Sequence, residues 1–274
     1  MARLFCGLHS LDLSTPVVMG ILNLTPDSFF DGGKFPDIRS QVSQVDKMIR
    51  DGAGIIDIGA VSTRPMAPDV REEEEMERVI PALKTLSREF PDCIFSVDTY
   101  RSNVARAAVG NGAGLINDVY GGRFEKGMIE TIASLNVPYI LMHMQGTPET
   151  MQDNPFYADV VAEVTGFFKH QISQCREKGV NQVIIDPGFG FGKTVGHNFT
   201  LLSRLGEFKT LGVPILAGLS RKSMINRVLQ ISPADALNGT TVLNTIALLK
   251  GAGILRVHDV KEAMEAIRLV KMLG

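Results

Sequence analysis

One event, repeated along the chain, constrains the fold more than anything else: a short apolar run rich in β-branched residues that ends abruptly on a polar side chain. It is clearest between Val17 and Gly33. Val17-Val18-Met19-Gly20-Ile21-Leu22 reads as a fully buried strand, and Asn23 breaks it into a polar loop carrying Pro26, Asp27, Asp31 and Gly32-Gly33. Ile55 to Gly59 exits into Ser62-Thr63-Arg64-Pro65, and Cys93 to Val97 delivers Asp98. Leu115-Ile116 delivers Asn117 and Asp118, and Pro138 to Met142 delivers His143. Gln182 to Ile185 delivers Asp186, Pro214 to Gly218 delivers Ser220-Arg221-Lys222, and Ile254 to Val257 delivers His258. Between these runs apolar residues return at helical spacing, as at Ile38, Val42, Val45 and Ile49.

Eight buried-type strands, each followed by helical sequence, predict an α/β fold, a single (β/α)8 TIM barrel. A doubly wound open sheet fits the first half equally. The count of eight favours the barrel, as does the absence of a Gly-rich dinucleotide turn after the first strand. The length of 274 residues is close to the roughly 250 of such a barrel. No Pro-, Gly- or Ser-rich spacer divides residues 1–274, which predicts one domain. Residues 1–16 read as a short hairpin, placed as a plug at the N-terminal mouth. Asp259 is positioned to cap the closing helix.

A net charge of −2, with both signs spread along the chain, leaves no basic footprint for nucleic acid. Cys6, Cys93 and Cys175 show no metal-ligand spacing and read as reduced packing residues. The first residues lack the apolar core of a signal peptide, and no apolar run approaches the roughly 18 residues of a membrane helix. The expectation is a soluble, cytoplasmic protein.

In a barrel the polar residues at the C-terminal strand ends converge on one cavity. Here they fall into two chemical groups. Asp98, Asn117, Asp186 and Lys222 suit a flat heterocycle rich in N–H donors and ring acceptors, with Met142 and Phe191 as apolar faces. Asn23, Thr63, Arg64, Arg256 and His258 suit a polyanion. Asn23 also offers an oxygen to a hard cation, and Asp31 is placed to add a second ligand or to stabilise developing positive charge. Each residue has a plainer reading. A strand-end Asp or Asn can cap the next helix, Arg256 can close an internal ion pair, and His143 is read as structural. The coincidence at nearly every strand end is what favours a site. Gly188-Phe189-Gly190-Phe191-Gly192-Lys193-Thr194 looks like a phosphate loop, but Pro187 stands where that motif needs glycine.

These residues resemble the bacterial dihydropteroate synthases. The likeness runs through Met19 to Phe29, Ser62 to Pro65, Ser96 to Thr99, Asn117-Asp118, Leu141 to Gly146, Asp186 to Lys193, Ser220 to Ser223 and Arg256 to Val260, in family order. It implies a homodimer that joins 6-hydroxymethyl-7,8-dihydropterin diphosphate to 4-aminobenzoate in folate synthesis, with Mg2+, and that sulfonamides inhibit. By resemblance the pterin is held by Asp98, Asn117, Met142, Asp186, Phe191 and Lys222. The diphosphate falls to Asn23, Thr63, Arg64, Arg256 and His258, and the metal to Asn23 and Asp31. Aminobenzoate falls to Phe29, Thr63, Pro65, Phe191, Ser220 and Arg221. Asp31, Asp98, Asp186, Lys222 and Arg256 are the expected catalytic set. Loss of diphosphate before attack by the amine, through a pterin cation, is the implied route, with the loops 24–36 and 60–69 closing over it. A methyltetrahydrofolate-dependent methyltransferase is the nearest rival, and a catalytically silent paralogue the rival of another class.

Overall fold

A computed structural model describes residues 3–24, 37–61, 70–147, 150–151 and 153–273. Its frame is a parallel sheet of eight strands: β3 (Val17–Asn23), β4 (Ile55–Gly59), β5 (Ile94–Asp98), β6 (Ala113–Asp118), β7 (Tyr139–Met142), β8 (Val183–Asp186), β9 (Leu216–Ala217) and β10 (Ile254–Val257). The order is β8-β7-β6-β5-β4-β3-β10-β9. Ile185 bridges Ile215 and closes the circle. The helices α1 (Ile38–Asp51), α2 (Glu72–Glu89), α3 (Ser102–Val109), α4 (Met128–Leu135), α5 (Val160–Glu177), α6 (Val195–Ser203), α7 (Ser223–Leu229), α8 (Leu237–Lys250) and α9 (Val260–Lys271) alternate with the strands. This is the (β/α)8 barrel that the strand rhythm predicts.

Period-two alternation divides each strand between two cores. Outward residues such as Val18, Ile56, Phe95, Ile116 and Leu255 pack with the helices. Inward, every strand gives one apolar residue to a floor: Met19, Ile55, Ile94, Leu115, Ile140, Ile184, Leu216 and Ile254. Two residues further along, the inward positions are Ile21, Asp57, Ser96, Asn117, Met142, Asp186, Gly218 and Arg256. The inner surface thus changes in a single step up the barrel from all hydrocarbon to a layer holding three charged and two polar side chains.

The predicted hairpin is present. β1 (Arg3–Cys6) pairs with β2 (His9–Asp12), turning at Gly7. Leu4, Cys6 and Leu11 join the apolar floor. A Cβ at Gly114 would stand 2.9 Å from the Cys6 carbonyl, so that glycine lets the plug seat.

Three local expectations change. β6 begins at Ala113, so Asn117 and Asp118 lie inside the strand and point opposite ways. Asn117 faces the barrel, while Asp118 takes a hydrogen bond from the Tyr139 hydroxyl at 2.5 Å. β9 is reduced to Leu216-Ala217: Pro214 has no N–H for a ladder, Ile215 makes an isolated bridge, and the exit turn closes from Leu219 to Lys222. Asp259 sits at the start of α9 without capping it through its side chain, which is held by Arg221 instead.

Candidate active site

The charged layer above the floor is a connected network. Arg256, inward on β10, reaches Asp57 Oδ2 with Nε at 2.7 Å and Asp98 Oδ2 with Nη2 at 3.0 Å. Asn117 Nδ2 donates to the same Asp57 oxygen at 3.1 Å. Asp57 is fully buried, and its other oxygen has no protein partner among the described residues. Arg256 therefore takes the internal ion pair that its strand alternation allowed. It spans the heterocycle group and the polyanion group rather than belonging to one.

On the far side stand Asp186 and Lys222. Asp186 Oδ1 accepts the Gly188 N–H at 2.8 Å. Asp186 Oδ2 and Lys222 Nζ flank Gly218, where a Cβ would lie 3.6 Å from the first and 3.8 Å from the second. Lys222 Nζ also donates to the Phe189 carbonyl and lies 4.6 Å from the centre of the Phe191 ring. Met142, Tyr100, Tyr120 and Met144 form a small apolar cluster against which Phe191 packs. Two carboxylates, an amide and an ammonium thus surround a slot with a thioether and an aromatic face.

Burial sets the protonation of this slot. It raises Asp98 to about 7, with Arg256 opposing the rise and Asp57 adding to it. Burial also raises Asp186, opposed first by Lys222. It lowers Lys222 to about 8, where Asp186 opposes the fall. Asp98 and Lys222 are thus drawn toward each other from opposite ends of the scale, and Asp186 moves in the same direction as Asp98, as is common at sites that bind or move protons.

Ser220 and His258 form a second unit. The hydroxyl accepts the His258 backbone N–H at 3.2 Å and lies 2.9 Å from Nδ1. A hydroxyl that already accepts there can give its own proton to Nδ1, leaving Nε2 as the imidazole donor. Arg221 is committed elsewhere. It holds Asp259 through Nε at 3.0 Å and Nη2 at 2.8 Å, and its Nη1 donates to the carbonyls of Pro233 and Ala234. Its backbone is left-handed, with φ of 56°. That turn sends its side chain toward α9 and the segment before α8. Asn23, at the end of β3, is half-buried and faces Gly59. Phe29, Asp31, Thr63, Arg64 and Pro65 lie outside the described residues.

Asp57 is the site residue that strand-end reading overlooks. It lies two residues before the end of β4, in register with Ile21 of β3. Its signal is a carboxylate on the inward parity of an otherwise apolar strand. His143, read as structural, is buried against Lys193, with burial and then that charge lowering it to about 2.

An eight-stranded barrel with an acid-lined slot at its C-terminal mouth defines the class, and similarity to known proteins agrees. The family described as "Pterin binding enzyme" matches residues 19–258. Dihydropteroate synthase of Escherichia coli strain K12 is 48% identical over 271 residues, covering 98% of this chain and 95% of that protein. The Haemophilus influenzae dihydropteroate synthase is 45% identical over 97% of both. A Yersinia pestis dihydropteroate synthase solved with a sulfonamide drug superimposes with a TM-score of 0.95 at 43% identity, covering 99% of each chain. The Xanthomonas albilineans enzyme in complex with 7,8-dihydropteroate superimposes at 0.90 with 39% identity, covering 99% of this chain and 98% of that one. The chain belongs to the pterin-binding enzymes and, within them, to the dihydropteroate synthases, which are transferases.

Proposed function

We propose that the chain condenses 6-hydroxymethyl-7,8-dihydropterin diphosphate with 4-aminobenzoate, giving 7,8-dihydropteroate and diphosphate. The observation that carries this reading is the slot itself: Asp98, Asn117 and Asp186 as acceptors, Lys222 as donor, Met142 and Phe191 as faces. A pterin presents an amino-amidine edge of N–H donors and a ring carbonyl. Carboxylates suit the former and an ammonium the latter.

Asp98 and Asp186 place negative charge at the edge of the ring. They favour the cation that forms when the methylene carbon loses diphosphate. Arg256, His258 through Nε2, Asn23, Thr63 and Arg64 receive the departing anion. Ser220 fixes the tautomer of His258. The amine of 4-aminobenzoate, in a pocket formed by Phe29, Thr63, Pro65, Phe191, Ser220 and Arg221, then attacks the methylene carbon, and the resulting ammonium loses a proton to solvent to give 7,8-dihydropteroate. Arg221 serves that pocket by fixing the turn between Ser220 and Lys222, since all its hydrogen-bonding nitrogens are engaged.

The donor set fits Mg2+. No cluster of three His, Cys, Asp or Glu side chains able to hold a metal occurs among the described residues. One Asn23 oxygen, Asp31 and the substrate's phosphate oxygens match the way Mg2+ is usually held. Bound there, Mg2+ would neutralise charge on the leaving diphosphate.

No helix among the described residues is long and apolar enough to cross a membrane. Cys6, Cys93 and Cys175 are unpaired, which supports a reducing compartment such as the cytoplasm. Val228 and Leu229 of α7 and Val242 and Leu249 of α8 are at least half exposed, which supports a homodimer formed through these helices.

The deciding experiment follows diphosphate release with the pterin substrate and Mg2+, with and without 4-aminobenzoate, and identifies products by mass. Dihydropteroate formed in step with diphosphate supports the reading. Enzyme-dependent release without aminobenzoate supports cation formation first. Tight pterin binding with no release under either condition would overturn it.

A further inference from the structure

The glycine-rich run that looks like a phosphate loop does something else in the fold. Lys193, its last residue but one, is only 4% exposed. Its Nζ donates to the carbonyls of Phe191 at 2.9 Å, Gly188 at 3.0 Å and His143 at 3.2 Å. It also lies 3.0 Å from His143 Nδ1. A neutral amine brings two hydrogens to these four neighbours and an ammonium three, so the three carbonyls match the ammonium, one of whose hydrogens is shared with His143 Nδ1. Burial pushes this lysine down from the ordinary range, opposed by the charge of Asp186. The oxygens favour the ammonium. Lys193 has no carboxylate contact among the described residues. Keeping a cation out of water without one is costly.

The origin of the carbonyls shows what the charge accomplishes. His143 follows β7, while Gly188 and Phe191 follow β8. These two exit loops touch backbone to backbone. A Cβ at Gly188 would stand 1.9 Å from the His143 carbonyl oxygen, and one at Gly192 2.6 Å from that of Gln145. Three carbonyl dipoles aimed at one point repel each other. A central cation turns that repulsion into attraction. The same loop carries Phe191, and its Gly188 N–H anchors Asp186.

We propose that Lys193 is a positioning residue of the pterin site: its buried ammonium pins the exit loops of β7 and β8 together, and so sets Asp186 and the Phe191 ring where the pterin meets them. This rests on the pterin assignment above. The side chain does not touch the ligand. It acts through the carbonyls it gathers.

The test is calorimetric titration of 6-hydroxymethyl-7,8-dihydropterin into the wild-type protein, Lys193→Met and Lys193→Ala. Wild type should bind. Lys193→Met should bind on the order of tenfold to a hundredfold more weakly, as expected for a misplaced binding group. Ethylammonium should restore part of the affinity of Lys193→Ala, and neutral propanol should not. A folded Lys193→Met with wild-type affinity would overturn the proposal, as would equal rescue by propanol. Failure of the wild type to bind would instead remove the pterin assignment, and the proposal with it. If the variants do not fold, isotope-labelled lysine in the wild type decides. The protected Lys193 ammonium resonance should shift when pterin binds, and an unmoved resonance would refute the positioning role.

Discussion

Arg256 and Asp57 meet at 2.7 Å inside the barrel, although 199 residues separate them in the chain. β3 lies between their strands. The contact therefore ties the last strand of the barrel to its second. Removing Asp57 takes one of the two carboxylates from Arg256, leaving it Asp98, and removes the acceptor of the Asn117 amide. Asp57→Ala should cost about 3 kcal/mol of unfolding free energy. A urea titration checks this, and a loss below about 0.5 kcal/mol would count against a buried ion pair.

Arg256→Ala should weaken free pterin as well as its diphosphate, because the same guanidinium holds Asp98 and, on the proposed assignment, receives the diphosphate. The loss for the diphosphate should be the larger. Calorimetry with both ligands measures the difference. An unchanged free-pterin affinity would separate Arg256 from the pterin carboxylates.

Lys222→Ala should raise the pterin Kd by about tenfold to a hundredfold, the range for losing a hydrogen bond to a charged donor. The fold should survive, since a lysine that stacks on Phe191 contributes little to the apolar floor. Titration of pterin, paired with thermal melting, tests both halves of that statement.

Pterin affinity should pass through a maximum with pH. Asp98 titrates at about 7 and must be ionised to accept the pterin N–H groups. Affinity therefore rises as pH climbs through that value. Lys222 titrates at about 8 and must keep its proton to donate. Affinity therefore falls above it. Calorimetry across about pH 6 to about pH 9 should show both limbs, and Asp98→Asn should weaken the acid limb while leaving the basic limb in place.

Gly188→Ala should be among the most damaging small changes. The residue has φ of +69°, and its Cβ would collide with the His143 carbonyl. A loss of more than about 2 kcal/mol is expected, with pterin binding impaired in any protein that folds. Chemical denaturation and pterin titration together check it.

Asp98 and Asp186 were legible in the sequence because each ends an apolar run, and a strand end in a barrel is a place in space as well as in the chain. Asp57 was not, since Ile58 and Gly59 follow it and continue the strand. Only the inward parity that it shares with Arg256 marks it. Arg221 and Asp259 illustrate another limit. Each stands in a motif, yet they bind each other, because a left-handed backbone turn redirects one of them. Lys193 stands next to last in a phosphate-loop lookalike and is instead enclosed by carbonyls. Sequence spacing carries periodicity well. It does not carry which of several polar partners a side chain will meet once the chain has closed on itself.

The barrel wall has a seam. β8 and β9 join through the Ile185–Ile215 bridge, and β9 is two residues long. Asp186 and Lys222 stand on opposite lips of that seam. A ligand gripped by both is a stave laid across the joint. Without a ligand the joint rests on that bridge, on the Ile185 N–H bond to the Pro214 carbonyl, on the Lys222 bond to the Phe189 carbonyl and on the surrounding helices. On the proposed pterin assignment a filled pocket would make the substrate part of the wall, and the scaffold should stiffen when that substrate is bound.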